Sequence, residues 1–325
     1  MTETANQSVE ATEEAPPFQE EFLDCWRRVP DKALFFGLAI PWLILFHFLG
    51  NANLGYVSSP SLYEWMSSIY SSEFSDESHG YLIPFVVAYL FWQKREEFAG
   101  MQARSWAPGL AGLGLAAAMH VVGFAVQQGR LSVVALFLGL YSIAGVAWGW
   151  QVLRAAFFPF VLFAFCMPLG GLTESITVPL RVLVTEISVW GGANLLNADV
   201  VNDGSRIFHQ EGGYQYDVAP ACSGIRSLTA LLILTTIVAF VSIPAWWRRL
   251  TLIAAAIPVA IAGNVLRITT VIIAAEAFGQ DAGTLVHDHA WVLTWGLALV
   301  CMWGLHLWLT RGLENSEQTA GGGEA

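Results

Sequence analysis

The chain is poor in charge. Only 13% of its 325 residues are Asp, Glu, Lys or Arg, against about a quarter in soluble domains. With 55% hydrophobic residues, fourteen Trp and a mean hydropathy of +0.53, this excludes an ordinary water-soluble globule. Cysteine is sparse too. Cys25, Cys166, Cys222 and Cys301 are the four present, with no CxxC and no Cys/His finger spacing, which argues against a disulfide framework or a structural zinc site. No Gly-rich phosphate loop and no basic patch in the outer loops are found, so no cofactor and no nucleic-acid partner is expected. The N-terminus lacks a basic start followed by an apolar core, so a cleaved signal peptide is not expected. Nor is there an internal repeat of the kind many transporters carry.

The net charge of −11 looks at first like a partner-binding signal. Much of it sits in the first two dozen residues, at Glu3, Glu10, Glu13, Glu14, Glu20, Glu21 and Asp24. That stretch has no hydrophobic periodicity and reads as solvated and disordered. The expected layout is a disordered acidic cytoplasmic tail over 1–30, a transmembrane domain over 31–311 and a disordered C-terminal tail over 312–325.

A helix needs roughly 20 apolar residues to cross a bilayer. The candidate spans are Ala33–Leu49, Gly80–Trp92, Pro108–Val126, Leu131–Trp150, Ala155–Leu172, Ser227–Ile243, Leu250–Phe278 and Ala290–Leu309. The expected fold is therefore an all-α polytopic membrane protein with about eight transmembrane helices. Arg27, Arg28, Lys32, Lys94, Arg95, Arg104, Arg154, Arg248, Arg249 and Arg311 then fall on one side, which makes both termini cytoplasmic. The outer side carries 51–79, the long loop 173–226 and the loop 279–290. Within the long loop, 173–196 mixes apolar and polar residues at helical spacing, as an interfacial helix would. The stretch 207–220 alternates weakly around a Gly-Gly turn and would suit a short hairpin.

Three outer features could carry chemistry. In "APACSGIRSL" (219–228), Cys222 and Ser223 lie where a polar stretch becomes an apolar run. Near a helix N-terminus the unpaired N–H groups and the dipole favour a thiolate, and Arg226 follows one turn later on the same face. A small buried residue at a helix cap is the alternative, and it stays open at this point. In "AGNVLRITT" (262–270), Asn264 and Arg267 share one helix face, with Arg267 about 16 Å below the outer end. An arginine inside an apolar run costs about 2.5–3.5 kcal/mol on insertion scales and needs an anionic or polar partner. A structural salt bridge would also satisfy it. In "LVHDHAW" (285–291), His287 or His289 could act as general acid/base. The H-x-H pair also raises a metal reading, with His79 and His209 as further outer ligands.

At these residues the chain resembles the exosortases, a multi-span family related to the archaeosortases. Four patches carry the resemblance: "SHGYLIPFVVAYLFW" (78–92), "FFPFVLFAFCMPL" (157–169), "ACSGIRSL" (221–228) and "GNVLRI" (263–268). It implies a cysteine transpeptidase-like enzyme in the bacterial cytoplasmic membrane, with its active site on the outer face. Substrates would be secreted proteins ending in a short motif such as Pro-Glu-Pro, a transmembrane helix and a basic cluster. The acceptor would be a cell-surface component, and the bilayer is the other partner. Cys222 would be the nucleophile, Arg267 the thiolate or oxyanion stabiliser, and His287 the general acid/base, with His289 competing. Ser223, Gly224, Arg226, Asn264, His79 and Gly80 would support the site or the substrate. The family often shows Gly-Trp a few residues after its histidine; here "DHAWVLTWG" follows His287, which points to a divergent branch. Two other classes compete: a transporter using Arg267 as its intramembrane charge, and a metal hydrolase built on the outer histidines.

Overall fold

The structure, a computed structural model, describes residues 17–52, 55, 57–72, 77–169, 172–217 and 225–311. Helices dominate, and the chain divides into two compact units, Met1–Asn53 with Val86–Val161 and Leu54–Phe85 with Leu162–Ala325. The first contains α1 (Phe18–Arg28), α2 (Lys32–Leu49), most of α4 (Ile83–Gln93), α5 (Arg95–Ala99), α6 (Pro108–Ala125), α7 (Gly129–Trp148) and α8 (Trp150–Val161). The second contains α3 (Leu62–Tyr70), α9 (Leu172–Leu195), strands β1 (Val200–Asp203), β2 (Arg206–His209) and β3 (Gln215–Asp217), and then α10 (Ile225–Ser242), α11 (Trp246–Phe278), α12 (Gln280–His289) and α13 (Trp291–Thr310).

Among the described residues five helices, α2, α6, α7, α11 and α13, are long and apolar enough to cross a membrane. The other three expected spans are apolar helices of shorter length, over Ile83–Gln93, Trp150–Cys166 and Ser227–Ser242. In the first unit, packing rests on close backbone approach. Gly139 of α7 faces the indole of Trp42, leaving no room for a Cβ, and Trp42 Nε1 donates to the Leu136 carbonyl at 3.1 Å. Small residues serve this purpose between membrane helices, where apolar surface alone gives little drive. Residues 18–28, expected within a disordered tail, form α1 instead. The reason is the spacing of Phe18 and Phe22, which share a face and both pack against the Trp92 ring, while Glu21 pairs with Arg95.

The second unit is organised around α11, whose 33 residues span about 50 Å against roughly 30 Å of hydrocarbon. Its first half packs Leu252, Ala256 and Ala260 against α10 and α13. Its second half packs Ile268, Ile272 and Ala275 against α9 and the sheet. Helix α9 buries Val184, Thr185, Ser188 and Val189 on one face and exposes Leu183, Ile187 and Trp190 on the other. The stretch 207–220 was expected as a two-stranded hairpin; β1 extends it to three antiparallel strands in the order β1-β2-β3. Asp203 pairs with Arg206 across a two-residue turn in which Gly204 takes φ +59°, a conformation glycine adopts without steric cost. The loop expected over 279–290 is helical from Gln280. Gly279, at φ +88°, ends α11 and allows the chain to start α12 at once.

Candidate active site

Helix α11 carries Asn264 and Arg267 on one face, as the three-residue spacing requires. Asn264 is buried at 4% exposure, and Arg267 is half-buried. Arg267 Nη2 donates to the backbone carbonyl of His287 at 3.1 Å. That carbonyl lies in the last turn of α12, where helix geometry leaves oxygens without an intrahelical donor. Arg267 therefore caps α12, and its positive charge suits the negative end of the helix dipole. Its Nε is buried with no hydrogen-bond partner among the described residues. The partner demanded by an arginine in an apolar run is thus, in part, a helix terminus.

The two candidate histidines differ in setting. Residues two apart on an α-helix point about 200° apart, so His287 and His289 cannot face one point from α12. His287 is half-buried, with Nδ1 3.4 Å from the Asp288 carboxylate. His289 is exposed, and its Nδ1 lies 2.9 Å from the Leu285 carbonyl one turn back. Among the described residues no three His, Cys, Asp or Glu side chains form a group that could hold a metal ion. His209, one of the two further histidines weighed as ligands, lies on β2, with Nε2 3.9 Å from Glu276 Oε1.

Cys222, Ser223 and Gly224 lie outside the described residues, and Arg226 stands in the first turn of α10. The elements on either side of them are described. Strand β3 docks on the start of α12 through Tyr216, whose hydroxyl donates to the Gln280 carbonyl at 2.7 Å. Helix α10 packs antiparallel on α11.

His79 and Gly80 fall in a 3-10 turn, Ser78–Tyr81, within a tight cluster of the same unit. Gly80 lies under the Tyr70 ring, with no room for a side chain. The Tyr70 hydroxyl donates to the Cys166 carbonyl, Cys166 Sγ lies 3.7 Å from the Gly80 carbonyl, and Glu77 Oε1 accepts from the Leu169 N–H at 3.0 Å. Burial, reinforced by Cys166, Glu77 and Tyr81, holds the Tyr70 phenol well above its ordinary value. The first two sequence patches of the family resemblance are therefore knitted together here. Tyr70 and Glu77 escaped sequence reasoning. Only the acid just before Ser-His-Gly hinted at the second.

The family described as transmembrane exosortase matches residues 65–304. No curated protein and no solved structure matches the chain. A match that takes in α11 with Arg267, α12 with His287, the Ser78–Tyr81 turn and the cysteine stretch spans most of the molecule: the chain belongs to the transmembrane exosortase family.

Proposed function

We propose that the protein is a membrane-embedded cysteine transpeptidase that cleaves C-terminal sorting signals of secreted proteins at the outer face of the cytoplasmic membrane. The observation that carries this is the hydrogen bond from Arg267 to the His287 carbonyl. It joins two of the three chemical candidates although they are twenty residues apart and on different helices.

The third candidate is tethered to both elements. Cys222 stands six residues after Tyr216 and three before Ile225, so the chain can carry it at most about 20 Å and 10 Å from them. Equal residue counts back from the turn at Pro244–Ala245 set Ile225 level with Asn264, one helical turn from Arg267. The membrane register fits as well. Trp246 and Trp247 are exposed at 71% and 50%, as interfacial anchors are, and twenty residues from there reach Val265 after about 30 Å. Arg267 then lies at the outer boundary of the hydrocarbon rather than deep within it.

In the reaction, the Cys222 thiolate attacks the scissile carbonyl carbon, forming a C–S bond and an oxyanion. Arg267 donates to that oxyanion from the guanidinium hydrogens that its bond to His287 leaves over. The C–N bond breaks as His287 gives its proton to the leaving amine, leaving a thioester. An incoming nucleophile, from water or a cell-surface acceptor, loses its proton to His287 and displaces the thiolate. Ser223, Gly224, Arg226 and Asn264 support the site, and His79 and Gly80 form part of its surroundings. Secreted substrates with a terminal motif, a transmembrane helix and a basic cluster would enter from the bilayer.

The test is co-expression of a candidate secreted substrate with wild type, Cys222→Ala, His287→Ala and His289→Ala, followed by intact mass. Processing by wild type and by His289→Ala alone is expected. Unchanged processing by Cys222→Ala would end the cysteine reading.

A further inference from the structure

The three consecutive residues that begin with Tyr214 and run into β3 dock on the α11–α12 junction, one after another. The Tyr214 hydroxyl donates to Glu276 Oε2 at 3.0 Å. The Gln215 N–H donates to Gln280 Oε1 at 2.9 Å, and Gln280 Nε2 returns a bond to the Gln215 carbonyl at 3.2 Å. The Tyr216 hydroxyl donates to the Gln280 carbonyl and rests where Gly283 has no side chain; a Cβ there would also lie 2.9 Å from Ala275 Cβ. The contacted positions, 276, 280 and 283, follow helical spacing across the Gly279 break.

Among the described strands β3 is an edge of the sheet, so its outward N–H and C=O groups meet no further strand there. The primary amide of Gln280 supplies one donor and one acceptor in the spacing a neighbouring strand would offer, and so completes the ladder at Gln215. We infer that Gln280 is a positioning residue, which locks the strand leading to Cys222 onto the first turn of the helix that carries His287. Resting on the reading of Cys222 and His287 proposed above, this assigns each end of α12 its own restraint. Gln280 holds the N-terminal end to β3, and Arg267 caps the C-terminal end through the His287 carbonyl. A ten-residue helix is only about 15 Å long. A loose first turn would therefore swing the imidazole by a distance that matters for proton transfer, which needs heavy atoms within about 3 Å.

The experiment uses the full-length protein in nanodiscs, comparing wild type, Gln280→Ala and Gln280→Glu. Three quantities are read: hydrogen exchange at the Gln215 amide, the pH profile of Cys222 alkylation by iodoacetamide, and kcat against KM for a processed substrate. Gln280→Ala is expected to raise exchange at Gln215 at least tenfold and to leave β1–β2 unchanged. It is expected to move the alkylation midpoint up toward the free-thiol value of about 8.5, and to lower kcat with KM held within about twofold. Gln280→Glu keeps the acceptor for the Gln215 N–H but sets a carboxylate against the Gln215 carbonyl. Its defect relative to wild type is therefore expected to shrink as pH falls and the acid becomes a donor. A Gln215 amide and an alkylation profile in Gln280→Ala identical to wild type overturn the inference. So does a change in exchange with no change in alkylation or kcat. A wild-type thiol that already titrates near 8.5 overturns the catalytic reading and the positioning role with it; raised exchange at Gln215 would then leave only a structural latch.

Discussion

Replacing Arg267 separates its contact with α12 from the oxyanion role proposed for it. Its Nη2 bond to the His287 carbonyl, at 3.1 Å, is a charged hydrogen bond to a carbonyl in the last turn of a helix, of a kind that contributes about 1.5–3 kcal/mol. Losing it lowers the docked population of the last turn of α12 by about 10- to 150-fold relative to undocked states. Losing a donor aimed at the oxyanion costs about 10²–10³ in kcat. Arg267→Gln retains polarity but neither charge nor fork, and is expected to reduce kcat at least 100-fold with KM little changed. Arg267→Lys keeps the charge, yet a compact ammonium cannot serve the carbonyl and a second acceptor in planar geometry. It is expected to fall between Gln and wild type. The assay is the initial rate of substrate processing in nanodiscs by intact mass, with Cys222→Ala as the floor, alongside hydrogen exchange of α12. Rates within about threefold of wild type for Arg267→Gln, with Cys222→Ala inactive, would refute the role given to the guanidinium.

Four further outcomes follow from the geometry. His287→Ala should abolish Cys222-dependent processing while His289→Ala, which loses only a local contact to Leu285, should stay within a few-fold; the reverse pattern would reassign the general acid. Gly139→Leu drives a side chain into the Trp42 indole and should cost about 1–3 kcal/mol by overpacking, seen as a lower melting temperature in detergent. Tyr70→Phe leaves the Cys166 carbonyl short of its donor and should destabilise by about 1–3 kcal/mol, measured by the same melt. The Tyr214 phenol is held above its ordinary value by burial and by its bond to Glu276. The folded state therefore keeps that proton above about pH 10, where the unfolded chain gives it up. Stability should then decline as pH rises beyond 10, and Tyr214→Phe should flatten that slope.

Several features were legible from local pattern. The apolar runs marked α2, α6, α7, α11 and α13, because a long unbroken apolar stretch has few other uses. Arg267 stood out because a cation in such a run demands a partner. Helix α9 followed from its spacing, and its buried stripe at 184, 185, 188 and 189 is the one that spacing draws. Helix α1 was missed because its many acids masked two phenylalanines at helical spacing. Helix α12 was missed because Gly279, Gly283 and the polar residues between read as a loop. In place, one glycine ends α11 and the other makes room for Tyr216.

Composition and periodicity were enough to establish a helical membrane protein and to single out a thiol, a guanidinium and two histidines as candidates for its chemistry, because burial preference and helix period are local properties of the chain. The contacts among those groups were not readable in that way. Arg267 meets His287 across twenty residues, and Gln215 meets Gln280 across sixty-five. Such bonds depend on where two elements come to rest against a third, here α11, and no periodicity within either element records it. The setting of each histidine was decided at that level, by the helical form of α12, which turns His287 and His289 to different sides and sets the His287 carbonyl, in the helix's last turn, beneath Arg267.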